Sequence, residues 1–151
     1  MLQANLNIEK YYRMLIIIWA ALLVSQVLFL VVLYFSKPEI FRFDFTKPLL
    51  GGDETTIILV LAFIGISSFL MSFILRSKFI RQAIDKQNPL LVQTALVVGC
   101  ALCEAVTLLG FVLAFAFGYQ YFFLWFALGI LGIILHFPKR DNLIAASYKK
   151  M

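Results

Sequence analysis

Glu104 is the one charged residue between Lys86 and Lys139. A carboxyl group in so apolar a stretch has few tasks open to it. Removal from water favours the neutral acid, which can both donate and accept a hydrogen bond. Ionised, it can hold a small cation. Ionisable residues inside membranes mark proton or ion handling, or they bond a partner helix. Both readings stay open from the residue alone.

Other polar groups surround it in sequence. Thr107 lies one turn further on. Cys100 and Cys103 form C-A-L-C, a spacing that can bind metal or do redox chemistry. No second ligand pair accompanies it, so the cysteines read as small buried hydrophobes, and no metal or other cofactor is implied. Gln26 and Gln93 are further hydrogen-bonding candidates. Ser67, Ser68 and Ser72 read as a packing face. His136, the one histidine, sits beside Pro138, Lys139 and Arg140 and reads as an interfacial side chain. A small-residue stripe of Gly99, Cys103, Thr107, Gly110, Ala114 and Gly118 recurs at three- and four-residue steps, which lets helices approach closely. That packing could lie within the chain or between subunits.

These residues need helices in a membrane to position them. Of 151 residues, 63% are hydrophobic and 14% charged, where soluble domains run near a quarter charged. No charge falls between Arg13 and Lys37 or between Glu54 and Arg76. A span takes about 20 residues of helix. The chain therefore reads as one all-α membrane domain, residues 1–151, with spans at about 14–35, 56–75, 90–117 and 121–137. Residues 1–13 are expected at the membrane surface, and the tail from 141 as a short surface helix. In the loop 36–55, Phe41, Phe43 and Phe45 alternate with polar residues and suggest an extended segment. Asp53 or Thr55 is placed to cap the second span. Tyr119, Tyr121, Phe122, Phe123, Trp125 and Phe126 read as an aromatic belt. The first apolar run is longer than a signal peptide's, and no small-residue cleavage site follows it.

Basic residues set the orientation. Ten of the thirteen fall at 10 and 13, at 76, 78, 81 and 86, and at 139, 140, 149 and 150. These segments share one face of a four-helix antiparallel bundle, so both termini are expected in the cytoplasm. A multi-pass protein of the plasma (inner) membrane follows. The charge of +5 belongs to helix ends, and no nucleic-acid motif accompanies it.

The segment Gln93 to Phe115, QTALVVGCALCEAVTLLGFVLAF, resembles the carboxylate-bearing helix of the rotary ATP synthase c subunit. Gly99, Ala101, Glu104, Ala105, Gly110, Val112, Ala114 and Phe115 match that pattern. Arg81–Gln82 and Gln87–Asn88–Pro89 are similar to the polar loop before it. The resemblance implies that Glu104 is the proton- or sodium-carrying carboxylate, with Thr107 as a hydrogen-bond partner. The preceding span differs from a c hairpin: Gly65 is its one glycine, among Phe63, Phe69 and Phe73.

The leading expectation is a proteolipid-like, oligomeric subunit of a membrane complex whose Glu104 handles protons or cations. The alternatives are an accessory or assembly subunit in which Glu104 bonds a partner helix, and a small multidrug exporter. Enzymatic chemistry is not expected from one membrane carboxyl. The bilayer, further copies of the chain or other membrane subunits are the expected partners.

Overall fold

The computed structural model describes residues 2–42, 44, 46, 48–50 and 55–147, with side chains from residue 8 on. It is all-helical. Helix α1 spans Leu2–Ser36, α2 Thr55–Asp85, α3 Leu90–Phe117, α4 Phe122–Leu135 and α5 Arg140–Ser147. Among the described residues, α1, α2 and α3 are each long and apolar enough to cross a membrane. Helix α4 passes only when taken together with α5, to which it is bent by 46°.

Backbone chemistry explains the boundaries. Helix α1 contains neither proline nor glycine, so residues 2–13 continue unbroken into the apolar stretch. Polarity alone does not stop a helix. Pro38 does, because the residue before a proline is driven out of the helical region; Lys37 has φ −143°. A 3-10 turn follows at Pro38–Phe41, because proline's fixed φ suits a first helical position; of the expected extended segment only its first residue, Phe41, falls in it. Phe43, Phe45 and Asp53 lie outside the described residues. Thr55 is the first residue of α2 rather than its cap.

Helix α2 continues well past its apolar stretch, to Asp85. The Asn88 amide then donates back to the Ala83 carbonyl (2.9 Å), and the Asn88 Oδ1 accepts from the Leu90 amide (3.0 Å) to start α3. At the other end of α3, Gly118 adopts φ +64°, and the Gly118 and Tyr119 amides close on Ala114 and Leu113. This is a glycine-dependent helix stop. Nothing lies within 4 Å of where a Gly118 Cβ would sit. Gly118 is thus a turn residue and not, as its spacing suggested, part of the packing stripe.

Helix α3 is the hub. In an apolar 18-residue stretch of it 44% of residues are buried, against 11% for α1 and 17% for α2, and it packs on every other helix. Two apolar clusters surround it. One joins Leu15, Ala83, Leu96, Cys100, Cys103, Ile133 and Leu143. The other joins Leu33, Ile40, Ala114, Phe122 and Phe126. Phe122 and Phe126 are therefore core residues, not belt residues; Phe41 from the 3-10 turn packs edge-on to Phe122 at 5.4 Å. The outer faces of α1 and α2 expose large apolar side chains such as Ile17, Leu28, Phe63 and Leu70, as a lipid-facing surface would.

Candidate functional site

Glu104 faces α1. The Ser25 Oγ lies 2.6 Å from its Oε1 and 2.7 Å from the Leu22 carbonyl oxygen. A hydroxyl has one hydrogen to give and two lone pairs to receive with. With Glu104 ionised, the Ser25 hydroxyl donates to the carboxylate. With Glu104 protonated, the acid donates to Ser25, whose hydrogen turns to the Leu22 carbonyl. Both states are satisfied without moving a heavy atom. Among the described residues, Glu104 forms no ion pair; the ion pairs there join Glu9 to Arg13 and to Arg140.

The register of α1 is set one cluster away, where the Trp19 Nε1 donates to the Ile133 carbonyl (2.7 Å). This places Gln26 between the two apolar clusters, fully buried. Neither its amide nitrogen nor its oxygen has a hydrogen-bond partner. Thr107 of α3 is also fully buried. Its Oγ1 faces Gly129 of α4 and is unpartnered. The structure therefore does not bring Thr107 to Glu104. Three residues on a helix leave the side chains about 60° apart, enough at this crowded helix to aim one at α1 and the other at α4.

The stripe is spent inside the chain. Gly99, Cys103, Gly110 and Ala114 are buried. Gly110 receives Trp125 and the Phe122 carbonyl, Gly99 receives His136, and Gly132 of α4 receives Cys103. The Cys103 thiol also donates to the Ser72 hydroxyl (3.5 Å), which itself donates to the Phe69 carbonyl. No three His, Cys, Asp or Glu side chains among the described residues converge as a metal site.

Two residues outside the expected site complete the polar interior. His136 is fully buried within the protein, not an exposed side chain at the membrane edge. Its Nδ1 lies 2.7 Å from the Gly132 carbonyl and so carries the hydrogen. Its ring packs on Phe73 at 4.6 Å, and its Nε2 has no partner. Arg76 of α2 reaches the end of α4, where its guanidinium donates to the carbonyls of Leu135 (3.1 Å) and Phe137 (2.9 Å). A cation belongs at a helix C-terminus, where carbonyls are unsatisfied and the dipole is negative. Arg76 Cβ lies 3.6 Å from where a Gly99 Cβ would be. Glu104 is five residues further along α3, a rise of about 7.5 Å. Measured against α1, Glu104 is level with the middle of the apolar run. Measured against α2, it lies near the Arg76 end.

Sequence reasoning singled out Glu104 and missed its partner. Ser25 was legible as a hydroxyl at the middle of the first span. Nothing local marked His136 as buried or Arg76 as a cap. Both depend on Gly99 across the interface.

No protein family, no curated protein and no solved structure matches the chain. The c-subunit resemblance therefore stands on residues 93–115 alone. In a c-like reading α2 and α3 would be the hairpin. Here Trp125 of α4 packs on that hairpin, with its Cζ3 2.6 Å from where a Gly65 Cβ would lie.

Proposed function

We propose that this chain is a multi-pass membrane protein that takes up and releases a proton, or exchanges it for a small cation, at the Glu104–Ser25 pair. The observation that carries this reading is the placement of one hydroxyl between two acceptors, Glu104 Oε1 and Leu22 O. A carboxyl that must change protonation state needs a neighbour content with either state. A carboxyl that only locks helices together is better served by a fixed donor or a cation.

The arrangement proposed in the membrane is four antiparallel spans, with the bent α4–α5 pair as the fourth and both termini on the basic, cytoplasmic side of a plasma (inner) membrane. One carboxyl in so small a chain makes a poor pathway alone, so the protein works with further copies or with other membrane subunits. Since the small-residue stripe is buried within the chain, such contacts use the outer faces of α1 and α2. Trp125 over Gly65 fills the face that a tight ring of c-like hairpins would need, which favours a proteolipid-like chemistry without service in a rotor.

In the accessory-subunit reading, Glu104 bonds a helix of another protein. Ser25 already supplies a partner in the same chain, which weighs against it. The exporter reading has no separate observation in its favour.

The test is carbodiimide labelling of purified protein across pH, beside Glu104→Gln. Labelling of wild type that falls as pH rises, and is absent from Glu104→Gln, is the expected result. Absence of labelling in wild type, together with loss of a co-purifying membrane protein in Glu104→Gln, would overturn the proposal in favour of the accessory role.

A further inference from the structure

A second feature lies away from Glu104, where α1 enters its apolar stretch. An open groove of about 720 Å³ runs between α1 and the start of α3, lined by Lys10, Tyr11, Arg13, Met14, Ile17 and Leu90. Its polar and apolar halves are separated along the helix. Lys10, Tyr11 and Arg13 form one end, and Met14 and Ile17 continue the wall one and two turns on. A second groove of about 330 Å³ shares Leu90 and continues up α3 past Gln93, Thr94, Val97 and Val98. Leu90 to Val98 adds about 12 Å of wall.

We infer that this groove holds one anionic phospholipid, its phosphate between Lys10 and Arg13 and an acyl chain along Met14, Ile17, Leu90 and Val97. The charge fits. Arg13 also lies 3.8 Å from Glu9, and Glu9 lies 3.4 Å from Arg140. Arg13 and Arg140 thus share the one Glu9 carboxylate, and Lys10 in the groove wall adds a further positive charge. Arg13 and Glu9 are exposed, and a pair of that kind at that distance is weak, so the guanidinium stays available. The shape fits as well. A zwitterionic headgroup would leave both cations without a net partner, and a soluble anion would leave the apolar wall unused. Basic clefts between membrane helices at the headgroup level are suited to anionic lipid. The inference does not depend on the role of Glu104.

Native mass spectrometry of the full chain in detergent tests it. Phosphatidylglycerol, phosphatidylcholine and inorganic phosphate are added in separate arms at equal concentration. The expected result is one phosphatidylglycerol retained roughly thirtyfold over phosphatidylcholine, as two basic contacts would give. The Lys10→Gln/Arg13→Gln variant should fall to the phosphatidylcholine level, while Lys78→Gln/Arg81→Gln, which removes two charges from α2, should not. Equal retention of the two lipids would overturn the inference. So would equal loss in both double variants, which would mean diffuse charge. Displacement of phosphatidylglycerol by an equal concentration of inorganic phosphate would reduce the groove to an anion site and overturn it too.

Discussion

Gly99 of α3 and His136 at the end of α4 touch so closely that a methyl group at position 99 would overlap the imidazole ring. The ring cannot swing away freely, because its Nδ1 is held by the Gly132 carbonyl and its face by Phe73. Gly99→Ala should therefore destabilise the protein by about 1–3 kcal/mol, the usual cost of overpacking. His136→Ala in the Gly99→Ala background should recover part of that loss. Unfolding of the two single variants and the double variant in detergent checks it. Strict additivity would show that the two residues do not meet.

The two kinds of glycine should separate cleanly. At Gly129 an added Cβ would meet the Cys103 carbonyl at 2.9 Å and overlap Thr107 Oγ1, and backbone cannot move aside. At Gly118 there is open space but φ is +64°, a conformation that costs other residues about 1–2 kcal/mol. Gly129→Ala should thus exceed Gly118→Ala in cost, and Gly118→Asn should be milder than Gly118→Ala because asparagine tolerates the left-handed region. Thermal midpoints of the three variants rank them.

Arg76→Gln removes the guanidinium that closes α4. Charge-assisted bonds of this kind contribute about 1.5–3 kcal/mol, and lysine, a point charge, should restore only part, because the two carbonyls are met by a fork. Hydrogen exchange gives the local readout. Amides of α4 near Leu135 should exchange faster in Arg76→Gln, with those near Phe122 unchanged.

Ser25 and Glu104 should be coupled. In a double-mutant cycle of Ser25→Ala and Glu104→Ala, the interaction term should be about 1 kcal/mol or more. Ser25→Thr keeps the hydroxyl and should keep most of it. A cycle that closes with no coupling would remove the pair on which the proposed function rests.

The hub helix was readable to the residue because chemistry marks both its ends, Asn88–Pro89 before it and Gly118 after. The start of α1 was not, since nothing between Leu2 and Ser36 breaks a helix and the change from polar to apolar at Met14 leaves the backbone unaffected. The fourth span came out shorter than its apolar run because His136 and Phe137 leave the helix ahead of Pro138. Glu104 was conspicuous as an isolated charge. Its partner, the burial of Gln26 and His136, and the cap from Arg76 are properties of pairs of helices. A periodicity read along one helix says which residues share a face, but not which face of which neighbour they meet.

Helix α4 has a consequence for the bilayer itself. Its 14 residues rise only about 21 Å, while the hydrocarbon layer is about 30 Å thick. Leu124, Leu131 and Ile134 turn outward along it, so lipids on that flank have a shorter wall to match than those beside α1 or α2. Such mismatch is relieved by thinning the membrane locally. Headgroups and water would then be drawn down toward Arg76 and the end of α4. The molecule would carry its own dimple in the membrane, at the end of α4 that Arg76 closes.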